Sequence, residues 1–111
     1  MNIKRQNIDE FLVLTIVDKD ANMTKSDYFK EKVMEDIEKG TKNIIISFEC
    51  VEYIDSSFLG ALVAILKKLL SENGKLILIE LNNDIRNLFE LTRLDKIFDL
   101  KNSLETALEK S

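Results

Sequence analysis

The sequence predicts a single α/β domain: a largely parallel central sheet with alternating helices. Three observations carry that prediction. Apolar, β-branched runs at residues 10–17, 43–48 and 75–81 have the length and composition of strands. Segments with helical periodicity separate the later runs, so successive strands need crossover connections and lie parallel. Three consecutive isoleucines, Ile44, Ile45 and Ile46, leave no polar alternation, as expected for a strand covered on both faces. The chain has 111 residues, 45% of them apolar, which suffices for one core. It contains no proline, no low-complexity stretch and no internal repeat. One domain, residues 1–111, is expected.

Taken in order, residues 3–7 form a short first strand and residues 10–17 a second, through Phe11, Leu12, Val13 and Leu14. Residues 18–23 are polar and read as a loop. Thr24 and Asp27 have capping-box spacing, which places a helix over residues 25–39. Its apolar stripe is Tyr28, Phe29, Val33 and Ile37, extended by Met34, and Gly40 follows as a left-handed terminator. A strand at residues 43–48 leads through residues 49–55 into a second helix, residues 57–73, stopped by Asn73 and Gly74. On that helix, Leu62, Val63, Leu66 and Leu70 share the side expected to face the sheet, with Leu69 at its edge. Phe58 and Ile65 lie beside this side, either packed on a neighbouring helix or left as a surface for a partner. After the strand at residues 75–81, one of Asn82, Asn83 and Asp84 caps a shorter helix that ends near Thr92. A last strand falls within residues 97–100. Asn102 and Glu105 then cap a terminal helix carrying Leu104, Ala107 and Leu108.

Composition excludes several function classes. The chain has no histidine, which removes the usual general base of serine and cysteine hydrolases and the commonest metal ligand. Cys50 is the only cysteine, so neither an internal disulfide nor a cysteine metal site is expected, and Cys50 itself reads as a small buried hydrophobe. Asp18, Asp20 and Asn22 begin like a calcium loop but lack its glycine and its closing glutamate. A net charge of -4 gives no basic footprint for nucleic acid. No apolar run has the length of a membrane span, and no apolar signal core follows Met1 to Arg5, so a cytoplasmic location is expected. No cofactor is implied.

The chemistry concentrates where the strand at residues 43–48 gives way to the second helix, at Tyr53-Ile54-Asp55-Ser56-Ser57-Phe58-Leu59-Gly60. Two hydroxyls and a carboxylate fall where backbone N–H groups lack partners and the helix dipole is positive. Either serine, or Asp55, can cap the helix, and a phosphate is well placed at such an end.

This octapeptide resembles the signature of the STAS domain family. It is most similar to the bacterial anti-sigma factor antagonists, whose pattern is roughly aromatic-hydrophobic-Asp-Ser-Ser/Thr-Gly-Leu-Gly. Residues 12–22, 43–52, 74–81 and 85–98 are similar to the family's remaining strands, first loop and closing helix. The resemblance implies a SpoIIAA-like (STAS) fold and a non-enzymatic regulator of sigma-factor-dependent transcription. It implies phosphorylation of Ser56 by a partner that is both anti-sigma factor and serine kinase. In that scheme the unphosphorylated protein binds the kinase, phosphorylation releases it, and a PP2C-type phosphatase resets the switch. The implied partner surface comprises Asp20, Asn22 and Thr24 in the first loop, with Asp55, Ser56, Ser57, Phe58 and Ala61 at the helix start. Two positions depart from the family pattern. Phe58 stands where glycine is usual, and a ring there is expected to alter the surface beside Ser56. Lys19, Asp20 and Asn22 stand where the family often has Gly-Glu-x-Asp. The alternative implied by the same resemblance is a STAS scaffold or transporter-associated subunit that is not phosphorylated. A Ser56 nucleophile is disfavoured, since neither a histidine nor a Gly-x-Ser-x-Gly elbow is present.

Overall fold

A computed structural model describes residues 1–109. The strands are β1 (Ile3–Ile8), β2 (Phe11–Ile16), β3 (Asp20–Ala21), β4 (Asn43–Ser47), β5 (Tyr53–Ile54), β6 (Lys75–Ile79) and β7 (Asp99–Lys101). The helices are α1 (Met23–Glu38), α2 (Ser56–Ser71), α3 (Asn83–Leu91) and α4 (Leu104–Leu108), with a single 3-10 turn at Leu94–Lys96. The main sheet has the order β1-β2-β4-β6-β7. Its first pair is antiparallel, and β2, β4, β6 and β7 run parallel. This is the largely parallel α/β arrangement that the alternation of strands and helices predicts.

The isoleucine triplet does what its pattern requires. Ile44, Ile45 and Ile46 are all fully buried in β4, the middle strand. Ile44 and Ile46 join the larger core with α1, α2 and α3, whereas Ile45 belongs to a smaller cluster with Val13, Ile77 and Ala107. The three long helices therefore cover one face of the sheet, and the short α4 contributes to the other.

Several local expectations shift. The capping residue of α1 is Asn22, not Thr24. Asn22 is extended, its Oδ1 accepts from the Thr24 N–H at 3.1 Å, and the Thr24 hydroxyl donates to the same oxygen at 2.6 Å. The helix thus begins two residues earlier than capping-box spacing indicated. Phe29, Val33 and Ile37 form the buried stripe with Ser26, and Tyr28 is exposed. Gly40, at φ 107°, is the left-handed terminator expected. After α2 that role falls to Asn73, at φ 60°. Gly74 serves closeness instead: a Cβ there would run into the Lys42 carbonyl oxygen.

The buried side of α2 is rotated from the expected one. Leu70 is exposed, while Phe58, Ala61, Ile65 and Leu69 are buried. The cause is a second partner: α2 packs on α1 as well as on the sheet, and the Phe58 and Phe29 rings meet with centroids 5.0 Å apart. Cys50 is exposed in the turn after β4, contrary to the expectation of burial. At the far end, the cap of α4 is Ser103, whose Oγ accepts from the Thr106 N–H at 3.2 Å, and not Asn102.

Asp18 ties the chain's start to α1. Its carboxylate accepts from the Asn2 N–H at 2.7 Å and pairs with Lys25 Nζ at 3.1 Å. The Asn2 N–H is the main reason its pKa lies below the ordinary carboxylate range. Burial opposes the shift, and Lys25 reinforces it. Because the folded value is lowered, the contribution to stability is complete above the unfolded value, about 3.9. It is lost as pH falls through the folded value. In urea titrations at neutral pH and near pH 3, the wild-type should therefore lose more stability on acidification than Asp18→Asn.

Candidate functional site

Sequence reading missed the element that assembles the site. β3 and β5 form a separate two-stranded parallel sheet, with Asp20 opposite Tyr53 and Ala21 opposite Ile54. The Lys19 carbonyl accepts from the Glu52 and Tyr53 N–H groups at 2.7 and 3.2 Å, and the Ala21 carbonyl from the Asp55 N–H at 3.3 Å. The polar loop that carries Asp20, Asn22 and Thr24 is thereby fastened against the approach to α2. Two-residue strands in polar surroundings carry no periodicity to detect. The ladder rests on the buried side chains of Ala21 and Ile54, one from each strand.

Asp55 settles the capping alternatives. It is extended, and its Oδ1 accepts from the Phe58 N–H at 3.0 Å, so the carboxylate caps α2 and neither serine does. Its Oδ2 accepts from the Met23 N–H, the first residue of α1, at 2.8 Å. One carboxylate therefore holds two helix starts together, with each oxygen meeting an orphan donor and a positive dipole end. Asp55→Ala should lower the unfolding free energy by about 2 kcal/mol, since it removes a cap and a second charge-assisted bond. Asp55→Asn should cost less, because an amide oxygen can still cap α2 while its NH2 cannot accept from Met23. Urea titration of the three proteins reads both differences.

With Asp55 as cap, Ser56 and Ser57 are the first two residues of α2, and both are exposed. Asp20 and Thr24 are exposed as well, and Asn22 is half-buried. The Asp20–Tyr53 pairing and the Met23–Asp55 bond bring this loop against the start of α2. Phe58 and Ala61 do not join these exposed residues. Phe58 is fully buried against Phe29, and Ala61 is 6% exposed. The ring at this position turns inward against Phe29, so it adds no exposed area beside Ser56.

A groove of about 450 Å³ opens beside Ser56, between β5 and α3. Ile54, Ile85 and Leu88 supply its apolar lining, and Glu52, Asp55 and Asp84 its carboxylates; Tyr53 and Ser56 complete it. Asn82 fixes the start of α3 beside this groove. Its Oδ1 caps the helix at the Ile85 N–H, 2.8 Å, and its NH2 donates to the Glu52 carbonyl at 3.2 Å. Sequence reading did not include Asp84, Ile85 or Leu88 in the site, because α3 lies about thirty residues downstream of Ser56.

Among the described residues no group of histidine, cysteine, aspartate and glutamate side chains is arranged to hold a metal. No helix of the described residues is long and apolar enough to cross a membrane.

Comparison with known proteins agrees with the geometry. The STAS domain model matches residues 2–107. A Thermotoga neapolitana protein, provisionally named an anti-sigma factor antagonist, is 32% identical over 103 residues, which are 92% of this chain and 91% of that protein. The crystal structure of a Thermotoga maritima protein with the same provisional name superposes with a TM-score of 0.87 at 28% identity, covering 96% of this chain and 91% of that one. The anti-sigma factor antagonist SpoIIAA shares the fold, in both its unphosphorylated and phosphorylated forms. Each superposes with a TM-score of 0.74, at 18% and 20% identity, over 96% of this chain and 93% and 96% of those chains. The match across nearly the whole chain places this protein in the STAS domain family, among relatives provisionally named as anti-sigma factor antagonists.

Proposed function

We propose that the protein is an anti-sigma factor antagonist whose Ser56 is phosphorylated by a partner kinase that is also the anti-sigma factor. Unphosphorylated, it binds that kinase in the cytoplasm and frees the sigma factor. Phosphorylation ends the complex, and a PP2C-type phosphatase restores it. The single observation that carries the reading is the position of Ser56. Its side chain is exposed at the start of α2, and Asp55 has taken over the capping that would otherwise occupy a serine.

Physical chemistry supports the switch. Phosphorylation adds about -1.5 to -2 charges at neutral pH. The dipole of α2 favours that charge by about 0.3–1 kcal/mol, so the fold survives it. An interface that excludes water does not, because an unneutralised dianion costs several kcal/mol to desolvate. The charged side chains that line the adjoining groove are carboxylates, which add to this penalty.

Gly60 also points to a partner. It is exposed in the middle of the first half of α2, and a Cβ there would meet nothing within 4 Å. A helical glycine costs about 0.5–1 kcal/mol relative to alanine, and the fold alone gives no return for it. Close approach of another chain to this surface supplies a reason.

Ser56 serves as the acceptor of the phosphate, not as a nucleophile of this chain, since no histidine exists to activate it. The test is labelling with the cognate kinase and ATP. Ser57→Ala should accept phosphate as wild-type does, and Ser56→Ala should bind the kinase and accept none. Full labelling of Ser56→Ala would overturn the assignment.

A further inference from the structure

We propose that the groove between β5 and α3 docks a segment of the partner kinase that presents an aliphatic side chain beside an arginine or lysine. The inference rests on the partner-binding reading above and names the chemistry that the second half of the surface selects. The groove is built in advance of binding: Asn82 bonds α3 to the segment before β5 through the Glu52 carbonyl, and Ile54 and Ile85 are held in the core. Its floor offers Leu88, half-buried, and Tyr53, 55% exposed, lies beside it. Leu91, one turn along α3 from Leu88, is 83% exposed and extends the apolar strip. An aliphatic side chain gains by covering these atoms.

Charge decides what stands next to it. Glu52, Asp55 and Asp84 line the groove, and no lysine or arginine does. The starts of α1, α2 and α3 offset these carboxylates, each by about half an elementary charge at most, which leaves about one and a half negative charges uncompensated. A cation with an aliphatic stem neutralises that excess and lies along the leucines, as lysine and arginine stems do. Ser56 belongs to the same lining. Its phosphate would fill the mouth of the groove and add about two more negative charges, more than one or two side-chain cations neutralise once water is excluded.

The experiment titrates the unphosphorylated protein with N-acetyl-leucyl-arginine amide and N-acetyl-leucyl-glutamate amide, following backbone amide shifts by NMR. The arginine probe should move the Tyr53, Ser56 and Leu88 amides together and saturably. The glutamate probe should bind at least ~5-fold more weakly, as should the arginine probe to the Glu52→Gln/Asp84→Asn variant. Both substitutions are at exposed positions. Equal affinity for the two probes, shifts scattered over the surface, or groove shifts that appear on concentrating the protein alone would overturn the proposal, the last by making a second copy the occupant. No kinase takes part, so failure here is distinct from failure of Ser56 labelling.

Discussion

Phe58→Ala is expected to lower the unfolding free energy by about 3–5 kcal/mol, a larger loss than that of Asp55→Ala. The ring is fully buried and lies 5.0 Å, centroid to centroid, from Phe29, so its removal opens a cavity where α1 and α2 meet. Its backbone N–H is also the donor that Asp55 caps, and that bond survives the truncation. The loss should therefore come from packing, and Phe58→Leu should recover much of it. Urea denaturation measures the difference. A small loss would mean that the two helices close over the gap. A variant that stays folded should keep the Ser56 surface, because the side chain contributes no area to it. A domain of this size has roughly 5–15 kcal/mol of stability to lose, so Phe58→Ala approaches the limit of what the fold tolerates.

The second large effect is on binding. Phosphorylation of Ser56 should weaken the complex with the kinase by about 100-fold or more, or about 2.7 kcal/mol. The free protein should barely change. Amide shifts on phosphorylation should concentrate at the start of α2, in the loop of Asp20 and Asn22, and along the groove side of α3. The rest of the sheet should be silent, since β4 and β6 lie in a core that the phosphate does not enter. Widespread shifts would point to refolding, and a mechanism based on local charge would not produce them.

The sequence made the frame readable where burial leaves a long pattern. The triplet Ile44 to Ile46 announced a central parallel strand, and Gly40 announced the end of α1. The octapeptide announced where α2 begins, because a helix start needs oxygen atoms to cap it. What stayed hidden depends on contacts between distant segments. Which side of α2 faces inward was decided by α1, through Phe29, so Leu70 and Leu69 exchanged places. Whether Phe58 was surface or core was likewise decided by its neighbour and not by its spacing. The short β3–β5 ladder rests on two buried side chains, too few for a period. Cys50 is apolar enough for a core, yet the turn after β4 leaves it in solvent. α3 reaches the groove through packing and through the Asn82 bond to the Glu52 carbonyl, contacts between segments about thirty residues apart that no local pattern marks.

In the proposed switch, one exposed hydroxyl, at a helix start already capped by a neighbouring carboxylate, controls attachment to a kinase. The decisive measurement follows a preformed complex of the protein with its kinase, supplied with ATP or with a non-hydrolysable analogue, by size-exclusion chromatography and intact mass. With ATP, this chain should gain one phosphate, mapped to Ser56, and leave the complex; with the analogue it should stay bound and unmodified. Phosphate at Ser56 in a complex that persists, or dissociation with Ser56 unmodified, would contradict the switch.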